Sequence, residues 1–191
     1  MSKKTTDAIP DSLMQPVKLE GAGRKASSEV EERKLVEQTT QVVITHRVND
    51  QFRQSMNQII EDCKTLRLKP VDVVRLEILH FSTLPENEQH QIMMNVYYDD
   101  ESLKKSATTF GINRFTKEKM DETIAQLQDY SKRVNVRAKI DAAGLLNQSI
   151  AYFATLPRAE KIEAIKEVKA KFADMLVYLT PAQAEAALAS L

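Results

Sequence analysis

Gln41-Val42-Val43-Ile44-Thr45-His46-Arg47-Val48-Asn49-Asp50 is the stretch on which the fold turns. Its period is two: Val42, Ile44, His46 and Val48 share one face of a short strand, and Val43, Thr45 and Arg47 share the other. Asn49 or Asp50 then caps a helix whose inner stripe is Phe52, Met56, Ile59, Ile60 and Cys63. Leu66 to Lys69 must contain a turn, because Pro70 suits the first position of a new helix and not an interior one. That next helix carries Val71, Val74, Ile78 and Phe81 and closes at Leu84-Pro85.

The same order returns further along. His80-Phe81-Ser82-Thr83-Leu84-Pro85 is echoed 72 positions later by Tyr152-Phe153-Ala154-Thr155-Leu156-Pro157. An offset of 68 pairs Ile44 with Ile112, Thr45 with Asn113, Phe52 with Met120, Met56 with Ile124 and Ile59 with Leu127. The second strand is expected from Thr109 to Phe115, with Gly111 inside it. A strand and two short helices cannot bury a core alone, so two copies imply one chain doing the work of two subunits.

The outer segments read differently. Residues 1–38 hold Pro10, Pro16, Gly21, Gly23 and seven charges of each sign, which predicts a flexible arm ending in a short helix from about Ser28 to Glu37. Residues 39–85 form the first unit, 86–108 an acidic linker and 109–157 the second unit. In residues 158–191 a helix of roughly 20 residues, with Ile162, Ile165, Val168, Phe172, Met175 and Leu176 inward, precedes a short one capped by Thr180, with Leu188 on its inner side. These two helices are expected either to brace the core or to form an oligomer contact.

The 27 basic and 27 acidic residues cancel, but unevenly. Residues 104–157 carry nine Lys and Arg against five acids, whereas residues 86–103 carry five acids and no base. This asymmetry permits a polyanionic partner without demanding one. Cys63 is the only cysteine, so no intramolecular disulfide forms. No apolar run is long enough to cross a bilayer, and a cytoplasmic, non-membrane protein is expected. His46 is expected on the inward face. His80 and His90 are expected to be isolated from each other and from acids or Cys63, and no metal site, cofactor, glycine-rich phosphate loop or catalytic motif is expected. The chain does not read as an enzyme.

Strand, helix, helix, met twice in residues 39–85 and 109–157, resembles the ribbon-helix-helix family of DNA-binding proteins. The resemblance implies a mainly α fold with a short two-stranded antiparallel ribbon, a tandem pseudo-dimer whose strands pair and lie in the DNA major groove. Outward side chains would then be Val43, Thr45 and Arg47 in one copy and Gly111, Asn113 and Phe115 in the other. Base reading falls to Val43, Thr45, Arg47, Asn113 and Phe115: Arg suits guanine, Asn suits adenine, and Thr or an apolar group can meet the thymine methyl. The family begins its second helix with a small polar cap that holds a phosphate. Leu68-Lys69-Pro70-Val71 stands there instead, which leaves phosphate contact to Lys69, with Arg137 and Lys139 at the corresponding turn of the second copy.

A single-chain tandem of this kind resembles accessory proteins of plasmid or T-DNA transfer and conjugation regulators that help a relaxase. It implies double-stranded DNA as partner, a relaxase or other DNA-processing protein as a second, and an asymmetric target site. Transcriptional autorepression and plasmid partition use the same fold. Two other readings compete. In one the chain is a helical protein-interaction module without DNA-reading activity, its strands are loops, and Tyr97, Tyr98 and Leu103 or the last two helices engage a protein. In the other, residues 41–48 are the one working ribbon, the chain self-associates through it, and the second repeat serves oligomerisation.

Overall fold

In a computed structural model of the chain, which describes residues 22–95, 107–136 and 140–190, the two expected strands lie side by side. β1 (Gln41–Arg47) pairs antiparallel with β2 (Ala107–Asn113), in a register that sets Gln41 opposite Asn113, Val43 opposite Gly111, Thr45 opposite Thr109 and Arg47 opposite Ala107. The ribbon closes within one chain. This removes the reading of these segments as loops, and β1 already has its partner in cis.

Around the ribbon the chain is mainly α-helical: α1 (Ala22–Thr39), α2 (Asp50–Asp62), α3 (Pro70–Thr83), α4 (Glu86–Asn95), α5 (Arg114–Arg133), α6 (Ala142–Thr155), α7 (Arg158–Lys171) and α8 (Pro181–Ala189). Local chemistry sets their starts. The Asn49 side chain accepts the Phe52 N–H at 2.7 Å, Asn113 accepts that of Thr116 at 2.9 Å and Asp141 that of Gly144 at 2.7 Å. Each satisfies one amide that a helix leaves unpaired at its beginning. Pro70 opens α3, where its missing N–H costs nothing. Between α2 and α3 a short 3-10 turn ends on Arg67 in the left-handed conformation, φ 51°.

The two caps place the repeat. Asn113 follows Asn49 by 64 positions, whereas Leu156-Pro157 follows Leu84-Pro85 by 72. The extra length sits in α5, which has 20 residues against the 13 of α2, about two turns. The offset of 68 expected for the strand and first helix is therefore one helical turn out of step, close enough to keep apolar residues facing inward. The segment expected as a linker contains α4, with Gln89, His90, Ile92 and Met93 buried. It corresponds to α7 in the second copy, so the repeating unit has one more helix than expected. Tyr97, Tyr98 and Leu103 lie outside the described residues. At the N-terminal side, the helix expected from Ser28 to Glu37 lies within the longer α1.

The halves interlock. α2 packs mainly on α6, α3 on α5, and α3 on α6, so each unit covers the apolar face of the other. Phe52 of α2 meets Phe110 of β2 beneath the ribbon, ring centroids 5.8 Å apart. Asn147 of α6 accepts the Asn49 N–H and donates to the Arg47 carbonyl, both at 3.1 Å, which fixes the junction of β1 and α2 from the other unit. Cys63 is buried, and Ile60 is half-buried at the margin of the stripe. The helix after Pro157 stops at Lys171, and a strap over residues 173–180, which opens with a 3-10 turn (Ala173–Leu176), follows before Thr180 caps α8.

Glu77 of α3 is fully buried, and neither carboxylate oxygen has a hydrogen-bond partner among the described residues. Burial pushes its pKa up to about 7 against the pull of His80, whose Nδ1 lies 3.8 Å away. Burial also opposes the charge on His80, but Glu77 together with Glu167 and Glu88 outweighs it and raises the histidine. A carboxyl whose folded pKa exceeds its unfolded value binds its proton more tightly when folded, so its stabilising effect is complete below about pH 4.5 and is lost as pH rises through about 7. Glu77→Gln is therefore expected to raise stability at pH 8 by on the order of 2 kcal/mol and to flatten the stability profile between pH 5 and pH 8, as read by urea unfolding.

Candidate functional site

The ribbon's pleat sorts its side chains. Ile44, Phe110 and Ile112 point into the core, while Val43, Thr45 and Arg47 of β1 and Ala107 and Thr109 of β2 stand exposed on the opposite face. Val43 is 65% exposed, a bulky apolar side chain at the surface. At the centre, Thr45 Oγ1 and Thr109 Oγ1 lie 3.1 Å apart across the strands, a pair also related by the 64-position offset of the caps.

The two ends of this face differ. At one end Arg47 and Ala107 are both exposed. At the other end, Gln41 donates its backbone N–H to the Leu179 carbonyl at 2.8 Å, and the Leu179 N–H returns to Thr39 at 3.1 Å, so the C-terminal strap lies alongside the start of β1. Gly111 lies against this closed end. A Cβ there would sit 2.3 Å from Gln41 Nε2 and 2.9 Å from the Tyr178 hydroxyl. A larger residue there would make the ends of these two side chains shift.

The expected site residues separate into three groups. Val43, Thr45 and Arg47 lie together on the outward face. Asn113 and Phe115 do not. Asn113 is fully buried; its side chain caps α5 and donates to the carbonyls of Met175 and Val177 on the strap. Phe115 belongs to α5, half-buried against Phe172 with centroids 5.6 Å apart. The error follows from the slipped offset, which set Asn113 beside Thr45, whereas Asn113 matches the cap Asn49. Thr109 and Ala107 hold the outward places of β2 and were missed. The alternation of Phe110 and Ile112, both inward, was the sign that Thr109 faces out.

Lys69 is exposed just before α3. Its backbone N–H is bound by the Asp72 carboxylate at 3.0 Å, so a negative group already occupies that helix start. Asp141 does the same at α6. Arg137 and Lys139 lie outside the described residues. His46 sits at the inner margin of the ribbon with Nε2 unpartnered among the described residues; burial, with help from Lys117, lowers its pKa, so it adds no charge to the face near neutral pH. No helix of the described residues is long and apolar enough to cross a membrane, and no group of three metal-ligating side chains occurs among them.

No family model, curated protein or solved structure matches this chain. Its coarse architecture, an antiparallel ribbon seated on a helical bundle, is established by geometry alone.

Proposed function

We propose that this protein is a recognition module whose contact surface is the outward face of the ribbon, and that the partner is double-stranded DNA entered through the major groove. One observation supports this above the rest: a two-stranded ribbon with Val43, Thr45, Arg47 and Thr109 exposed on one face and the core against the other. Such a ribbon is narrow enough for a groove about 12 Å wide. Arg47 would read guanine, the threonine pair would donate, accept or meet a methyl, and Val43 would meet the thymine methyl. Lys69, together with Arg137 and Lys139, would neutralise phosphates. The halves of the face are unlike, Arg47 and Val43 on one strand and Ala107 and Gly111 on the other, which favours a site without two-fold symmetry. Regulation of transcription and assistance to a relaxase at a plasmid transfer origin are roles such a module would serve.

A second reading keeps the surface and changes the partner. Asp72 and Asp141 occupy the two helix starts that would otherwise hold phosphates, and the formal net charge is zero. Both suit a protein-interaction or self-association module without DNA-reading activity. Duplex titration at two salt concentrations separates the two. DNA binding requires an affinity that falls as salt rises. Arg47→Ala is expected to cost about 1–3 kcal/mol on the preferred sequence and to relax base preference, while Lys69→Ala weakens all sequences alike and lowers the salt slope by about one. If neither substitution changes binding, the ribbon is not the DNA surface.

A further inference from the structure

Beneath the strap, between the turn after α2, the start of α3 and the end of α7, lies a cleft of about 250 Å³. Leu66, Leu68, Leu76 and Leu176 give it apolar walls, while Arg67, Arg75 and Lys169 bring three cations against one carboxylate, Asp72. That carboxylate is already engaged. Asp72 Oδ2 accepts the Lys69 N–H at 3.0 Å, and Oδ1 stands 3.9 Å from Arg75 Nη1, beyond hydrogen-bond reach.

Arg75 is the unusual member. It is 6% exposed, and its Nη2 donates to the Leu176 carbonyl at 2.7 Å. Its guanidinium lies 5.0 Å from the Tyr178 ring centroid, but Nε has no partner among the described residues. Burial lowers its pKa, and Asp72 and Tyr178 offset this only in part. A buried donor left unsatisfied costs about 1–3 kcal/mol, so a cation here without a full set of acceptors needs a reason. The pseudo-equivalent position, 72 residues on, is Asn147, a neutral side chain that binds the β1–α2 junction directly. The charge at Arg75 has no structural counterpart in the other half. Arg67 and Lys169 have no ion-pair partner among the described residues.

We propose that this cleft binds a small organic monoanion, its carboxylate held by Arg75, Lys169 and Arg67 and its hydrocarbon part lying against the four leucines. The volume falls somewhat below the roughly 300–1,000 Å³ of pockets for drug-sized ligands, which suits a short-chain or single-ring acid. A carboxylate pairs with the in-plane fork of N–H donors along a guanidinium's edge, and the surrounding leucines strengthen that pairing by excluding water. The site is independent of what the ribbon contacts. Because Arg75 also grips the strap, an occupant would hold Leu176 and Tyr178 in place.

Full-length protein titrated with hexanoate, acetate and 1-hexanol, followed by calorimetry and by the Arg75 Nε–H signal in ¹⁵N NMR spectra, tests this. Hexanoate is expected to bind saturably with one molecule per chain and to shift that signal; acetate and 1-hexanol each lack one half of the match and should bind at least about tenfold more weakly. Arg67→Asn/Lys169→Gln, which keeps a residue tolerant of the left-handed conformation at position 67, should weaken hexanoate about tenfold or more without shifting the melting temperature of the free protein. The proposal is overturned if hexanoate fails to saturate in the millimolar range, if 1-hexanol binds as tightly, or if the double variant titrates like the parent.

Discussion

Phe52→Ala is expected to destabilise the fold by about 3–5 kcal/mol, a large share of the roughly 5–15 kcal/mol by which a domain exceeds its unfolded state. The ring is 2% exposed and meets Phe110 at 5.8 Å with the planes tilted by 53°. Its removal takes away buried apolar area, leaves a cavity in a close-packed interior and breaks an aromatic pair worth about 0.5–1.5 kcal/mol beyond its area. The contact joins the first helix of one half to the strand of the other, so relaxation on one side only cannot refill the space. Urea unfolding should show a lower midpoint with an unchanged slope. A loss below about 1 kcal/mol would mean that the ring does not lie under the ribbon.

Asp62→Ala should be comparably damaging, at about 3–5 kcal/mol. Lys161 is 1% exposed, and its Nζ lies 2.6 Å from Asp62 Oδ2, across 99 positions from α7 to α2. Truncating the carboxylate strands the lysine charge in the interior, which costs far more than the pair contributes. Lys161→Met is the informative contrast: it removes the buried charge and keeps the hydrocarbon stem, leaving Asp62, 29% exposed, to be hydrated. Its cost should stay within about 1.5 kcal/mol. Equal losses from the two substitutions would show that packing, and not the stranded charge, sets the energy.

The ribbon and every described helix except α4 were legible in the sequence because their signals are local. Alternation over Val42 to Val48, the stripe from Phe52 to Cys63 and the Pro70 start each follow from residues within a few positions of one another. What escaped depended on register. Period-3.6 stripes look alike when slid by one turn, so Met120 and Leu127 fitted either offset, and the error passed to the strand, where it exchanged Thr109 for Asn113. The pair of caps carried the correction: Asn49 and Asn113 both accept an amide three residues on. α4 was hidden by its acids. Glu86 and Glu88 mark a helix start, where they complement the backbone dipole, and Ile92 and Met93 supply its buried face. The strap was not legible at all, since the carbonyls of Met175 and Val177 that receive Asn113 come from far along the chain.

The strap also shows what duplication permits. In one half, Asn147 reaches the ribbon-helix junction directly; in the other, Arg75 holds the strap, and the strap holds Asn113. Two identical subunits would have to make the same contact twice. One chain can brace the two ends of its ribbon by different contacts.

Duplex DNA titrated into ¹⁵N-labelled protein, at low and at moderate salt, tests the central claim most directly. The account predicts that the amides of Val43, Thr45, Arg47, Ala107 and Thr109 move together and saturate, with an apparent affinity that weakens as salt increases. Movement confined to other surfaces, or none at all with the ribbon signals unperturbed, would contradict it.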